Sequence, residues 1–108
     1  MSISQGTPDV EAVFHFNGVK RSPVTSGYRP AHQVTEEYLT TGEHCYFDKK
    51  LVYPNDTVRG TIAFLSPEAY PHCLWIGKKI QIQEGERVVG SATVTRILNP
   101  LLEKGESM

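Results

Sequence analysis

Apolar and polar residues alternate one by one over several short stretches of this chain, and Gly, Pro, Asn and Asp punctuate them at short intervals. A period of two puts successive side chains on opposite faces of an extended strand, so the pattern predicts an all-β protein with a closed or sandwiched sheet. From Val10 to Phe16, Ala12, Phe14 and Phe16 share one face and Glu11, Val13 and His15 the other, and Asn17-Gly18 then supplies turn chemistry. Gly18 to Gly27 has no apolar alternation and reads as an exposed loop. A second strand is expected over Ala31 to Leu39, with Glu36-Glu37 marking an edge or a bulge and Thr40-Thr41-Gly42 ending it.

Cys45, Phe47, Leu51 and Tyr53 read as a short irregular pairing that leads into the turn Pro54-Asn55-Asp56. Val58 to Leu65 is better patterned: Val58, Gly60, Ile62 and Phe64 face one way, and Ser66-Pro67-Glu68 closes the strand. Ala69 to Gly77 has no clear period, and its aromatic residues are expected to seal one end of the core. Ile80 and Ile82 then alternate with Gln81 and Gln83, Glu84-Gly85-Glu86 reverses the chain, and Arg87 to Leu98 forms the second arm of a β-hairpin. On this reading residues 1–9 are a flexible N-terminal segment, 10–98 are the folded body, and 99–108 are a polar C-terminal tail that frays.

A chain of 108 residues has room for one domain with one modest core, stable without disulfide or metal staples. Eleven Lys and Arg against twelve Asp and Glu give a net charge of -1, so no global field draws the protein to nucleic acid or an anionic membrane. DNA binding is not expected, and any RNA contact must be local. There is no apolar run of about 18 residues and no basic segment followed by an apolar stretch at the N-terminus, so the expectation is a cytoplasmic protein without membrane span or signal peptide. That compartment favours Cys45 and Cys73 as free thiols over a disulfide.

The motifs of catalysis are missing. No G-x-x-x-x-G-K-[ST] sequence offers a phosphate cradle, so GTP and ATP hydrolysis are not expected. No G-x-S-x-G elbow occurs and nothing local sets a base beside a nucleophile, so no catalytic residue is assigned and no enzyme is expected. His44-Cys45 and His72-Cys73 contain the right atoms for zinc, but adjacent residues in extended chain point to opposite faces. They read as one buried Cys beside one exposed His at each place, with no metal and no cofactor. Glu36-Glu37 and Glu84 with Glu86 read as solvated positions. The basic pairs Lys20-Arg21, Lys49-Lys50 and Lys78-Lys79 make a phosphate-sized patch if folding joins two of them, and are solubilising charges otherwise.

Three segments are distinctive together. They are Gly18-Val19-Lys20-Arg21-Ser22-Pro23 leading to Gly27-Tyr28-Arg29-Pro30, then Tyr53-Pro54-Asn55-Asp56 before the strand ending Leu65-Ser66-Pro67, then Ile82-Gln83-Glu84-Gly85-Glu86-Arg87-Val88-Val89-Gly90. In order and spacing, from about Val10 to Leu98, the chain resembles the third, C-terminal domain of translation elongation factor Tu. The resemblance implies a single six-stranded antiparallel β-barrel. In that family the Gly-Tyr-Arg-Pro segment and the Glu-Gly hairpin lie near the surface that holds the T stem of aminoacyl-tRNA. Carried over by motif, the candidate partner- or RNA-binding residues are Tyr28, Arg29, Thr41, Glu84, Gly85 and Gly90, with Arg87 in support. Each also has a plain structural role open to it: a turn for Gly85, relief of crowding for Gly90, an ion pair for Arg29.

The function implied is a non-enzymatic, translation-related binding module that does not bind GTP and whose ligand is either the tRNA T stem or a protein that recognises this domain of the factor. The chain departs from the family where Ala31 replaces a usual Gln and where Glu36 and Glu37 replace a cation and neutral groups. Those acids, with Glu43, suit a basic protein better than phosphate, which motivates the alternative: an inhibitor such as an immunity or antitoxin protein on the same scaffold.

Overall fold

The alternating stretches become strands β1 (Val10–Phe16), β2 (Ala31–Gln33), β3 (Leu39–Tyr46), β4 (Thr57–Phe64), β5 (Lys79–Glu84) and β6 (Arg87–Ile97). In this computed structural model, which describes residues 7–105, they close into one barrel in the order β1-β4-β3-β2-β5-β6, and β6 returns to β1. Every pairing is antiparallel. The fold is therefore the all-β, six-stranded antiparallel barrel expected, and closure leaves no long open edge. The inward faces supply the core: Val10, Ala12, Phe14 and Phe16 from β1, Val58, Ile62 and Phe64 from β4, Ile80 and Ile82 from β5, and Val89, Ala92 and Val94 from β6. Register shifts at Glu11/Ala12 and Ile82/Gln83 bend the wall where it must curve. No helix among the described residues is long and apolar enough to cross a membrane.

Three expectations are corrected. Ala31 to Leu39 is not one strand: β2 stops at Gln33, and Thr35 Oγ1 accepts the amide N–H groups of Glu37 at 3.2 Å and Tyr38 at 3.0 Å, folding the chain back. Glu36 and Glu37 ride this turn. Thr40-Thr41-Gly42 then lies inside β3 instead of ending a strand, and Cys45 belongs to the same strand instead of to an irregular pairing. Second, the loop from Gly18 to Gly27 is exposed as expected over most of its length but not throughout: Val24 is buried and bridges Val52.

Third, the ends are more tightly held than their polarity suggests. Asp9 is buried, its carboxylate accepts Phe64 N–H at 2.7 Å and Asn99 Nδ2 at 2.8 Å, and its carbonyl accepts the N–H groups of Leu98 and Asn99. Asn99 Oδ1 caps a short 3-10 turn, Pro100–Leu102, that drives Leu102 into full burial. Residues 1–6 and 106–108 of the two expected flexible segments lie outside the described residues.

Where β2 and β3 face the interior, the core is polar. His32 and His44 are fully buried, with Nε2 of one 2.8 Å from Nε2 of the other. The protons are placed by elimination. Thr40 carbonyl, 3.2 Å from His32 Nδ1, can only accept, so His32 carries its hydrogen on Nδ1 and presents a bare Nε2. His44 must then donate from Nε2, which leaves its Nδ1 to accept the Tyr46 hydroxyl at 2.8 Å. Every buried polar atom of the chain Tyr46–His44–His32–Thr40 is satisfied by two neutral imidazoles. The Phe14 ring, 4.3 Å between centroids, lies against His44. This inverts the expectation at His44-Cys45, where the imidazole is inside and the thiol exposed. At the second site His72 is exposed and Cys73 is partly buried against the core.

Burial lowers His32 from its ordinary 6.5 to about 4, against the weaker opposing pull of the Thr40 carbonyl. His44 is held well below 6.5 by burial and then by His32. Between pH 6.5 and about 4 the unfolded chain therefore binds protons that the barrel refuses. Stability is full above pH 6.5 and falls on acidification, by ~1.4 kcal/mol per pH unit for each imidazole. Urea unfolding at a series of pH values should show this slope before the carboxylates titrate, and a flat profile down to pH 5 would contradict it.

Candidate functional site

Gly27-Tyr28-Arg29-Pro30 extends the line of β2 backwards along β3. Gly27 adopts φ 101, its N–H reaches His44 carbonyl at 2.8 Å, and Tyr28 carbonyl accepts His44 N–H at 2.9 Å. Because this stretch is extended, Tyr28 and Arg29 diverge. Tyr28 turns inward at the barrel end, its ring edge-on to Phe16 at 6.2 Å and to His44 at 5.6 Å. Arg29 turns outward.

The hydroxyl of Tyr28 donates to Glu84 Oε2, carried by the last residue of β5. The same carboxylate receives Lys20 Nζ at 3.0 Å and faces Arg87 at 3.8 Å, while Lys20 also stands over the Tyr28 ring, 5.6 Å from its centroid. Gly85, with φ 60, takes the first position of the two-residue β5–β6 turn and so brings Arg87 back beside Glu84. The electrostatics agree. Burial first, and then Glu84, push the Tyr28 hydroxyl far above its ordinary value, while the Tyr28 hydrogen bond, followed by Lys20 and Arg87, holds Glu84 below the usual carboxylate range. The pair is a neutral phenol bound to an ionised carboxylate.

Arg29 and Thr41 belong to a different patch. Arg29 reaches Glu43 Oε1 at 3.4 Å across β3, and together with Thr41, Ala63 and Leu65 they line a shallow groove of about 220 Å³ on the outer face of β3 and β4. Gly90 is part of neither. It lies in the wall opposite Phe16, where a Cβ would come within 2.4 Å of His15 carbonyl, so its role is to let β6 approach β1.

The expected residues thus separate into Tyr28, Glu84, Gly85 and Arg87 at the hairpin, Arg29 and Thr41 in the groove, and Gly90 in the wall. Lys20 completes the first group and Glu43 the second, contacts that close only once the barrel folds. Of the basic pairs, Lys20 is held by Glu84 and Lys49 by Asp56 at 3.4 Å, whereas Lys78 donates to the carbonyls of Val34 and Cys73, which carry no countercharge. The buried imidazoles carried no sequence signal as a pair. Among the described residues no group of three or more His, Cys, Asp or Glu converges as a metal ion would require. No protein-family model matches the chain.

The Tyr28–Glu84 bond joins a phenol to a charge at a half-buried site, whereas Arg87 is mostly exposed. Tyr28→Phe should therefore cost about 1–2 kcal/mol and Arg87→Ala less than about 0.5 kcal/mol in chemical denaturation. Equal losses would contradict this division.

Proposed function

We propose that this chain is a non-enzymatic binding module whose ligand is a protein, in the translation-related setting that its resemblance to the third domain of elongation factor Tu implies. One observation carries the choice of protein over tRNA: each candidate cation on this surface already has a carboxylate at contact distance. Lys20 and Arg87 share Glu84, and Arg29 is paired with Glu43. A phosphate approaching either patch meets a carboxylate at contact distance and competes with an existing ion pair, which reduces the counterion-release gain on which phosphate binding depends.

The groove beside Arg29 suits a protein instead. Its lining includes Gly42, which has no side chain to fill it, the small Ala63, and Leu65, which is 65% exposed. A side chain from a partner can pack on that apolar surface while Arg29 and Glu43 offer one donor and one acceptor at the edge.

Two measurements test the reading. Labelled tRNA titrated at about 50 and 200 mM salt should show no salt-sensitive binding at micromolar protein. Nuclease-treated lysate passed over the immobilised chain should yield a discrete protein whose capture Arg29→Ala reduces several-fold while unfolding stays cooperative. Salt-dependent tRNA binding, or capture indifferent to Arg29, would overturn it.

A further inference from the structure

Away from both candidate patches, the loop before β5 and the end of the chain place three lysines around one indole. Lys78 Nζ stands 4.6 Å from the centroid of the Trp75 ring and Lys104 Nζ 5.2 Å from it, and Lys79 follows at the start of β5. Trp75 is 45% exposed and Ile76 beside it is 60% exposed. Trp75, Lys78 and Lys79 line a groove of about 450 Å³ that runs between the β2–β3 turn, at Val34 and Glu36, and Gln81 on β5, with Ile76 next to Trp75 in the chain and Lys104 beside the indole.

Lys20, Arg29, Lys49, Arg59, Arg87 and Arg96 each have a carboxylate within 4.0 Å. Among the described residues, Arg21, Lys50, Lys78, Lys79 and Lys104 have none, and of these five Lys78, Lys79 and Lys104 gather at Trp75. Lys78 is also fixed in place: its ammonium donates to the carbonyls of Val34 and Cys73, which carry dipoles but no countercharge. Loop backbone, indole and lysine are thus held together as a rigid, positively charged shoulder. Glu36 stands across the groove without a cation at contact distance, so an anionic ligand has its charge directed to the lysine wall.

From this placement we infer that the Trp75 groove docks an acidic segment of a partner protein, with apolar side chains against Trp75 and Ile76 and carboxylates toward Lys78, Lys79 and Lys104. A peptide fits better than a nucleic acid strand. Ammonium groups over the indole compete with a base for its π face, and Glu36 opposes a continuous phosphate track. Alternating acidic and apolar side chains supply both components at strand spacing. The inference rests on the protein-binding reading above and assigns it a second contact surface.

Trp75 is the chain's one tryptophan, so its fluorescence reports on this groove alone. The probe is a synthetic peptide of about ten residues in which Glu and Leu alternate, with a Lys and Leu peptide as control. The Glu-Leu peptide should shift Trp75 emission saturably, more strongly at low salt, and the exposed double variant Lys79→Glu/Lys104→Glu should weaken binding at least about tenfold while keeping the thermal transition cooperative. No emission change, an equal response to the Lys-Leu peptide, indifference to the double variant, or a tighter response to single-stranded oligouridylate would each overturn the assignment. If it is overturned while Arg29-dependent protein capture persists, the protein-binding reading stands and only this groove is removed from it.

Discussion

The Thr40 carbonyl cannot donate a hydrogen bond, and that simple fact propagates through the middle of the barrel. It fixes the hydrogen of His32, which fixes that of His44, which requires the hydroxyl of Tyr46 to point inward. The barrel closes through β2, whose three residues pair with β3 on one side and β5 on the other. His32 is the one fully buried side chain of that strand. Closure at the narrowest strand therefore depends on a polar contact that is satisfied only while both imidazoles are neutral. Removing one partner would strand the other as an unpaired buried group, a loss of about 1–3 kcal/mol beyond the packing.

The outer wall follows from the same geometry. Tyr28 touches His44 on its inner edge and binds Glu84 with its hydroxyl, so the polar core continues to the surface at the β5–β6 hairpin. Glu84 in turn gathers Lys20 and Arg87. The candidate cations are therefore engaged within the folded wall, Arg29 with Glu43, and Lys20 and Arg87 together with the one carboxylate of Glu84. Three lysines without a carboxylate partner gather beside Trp75, where backbone carbonyls position Lys78 without neutralising it. On this distribution of charge rests the proposal that the ligand is a protein and not a phosphate track.

How much of this was legible in the residue pattern depends on what each strand turns inward. β1, β4 and the β5–β6 hairpin bury runs of apolar side chains, and their alternation locates them nearly to the residue. β2 and β3 bury His32, Gly42 and His44, which a search for apolar alternation scores as outward-facing, so their boundaries were misplaced and the turn between them was taken for strand. The ends were misread for a related reason: Asp9 and Asn99 are polar residues working as clasps, and Leu102 is a lone apolar residue whose burial depends on them. At the candidate site the motifs identified Tyr28 and Glu84, but they stand 56 residues apart and their bond is a property of the closed barrel. Lys20 and Glu43 enter the site through the same long-range closure, which no local spacing encodes.

The most direct measurement is the protonation of the imidazole nitrogens at neutral pH by long-range proton–nitrogen correlation spectra of the folded protein. The account requires His32 to be neutral with hydrogen on Nδ1 and His44 to be neutral with hydrogen on Nε2, each as a single tautomer. A charged imidazole at either position, a mixture of tautomers, or the opposite assignment would break the donor and acceptor order from Tyr46 to Thr40, and with it this description of how the barrel is held shut.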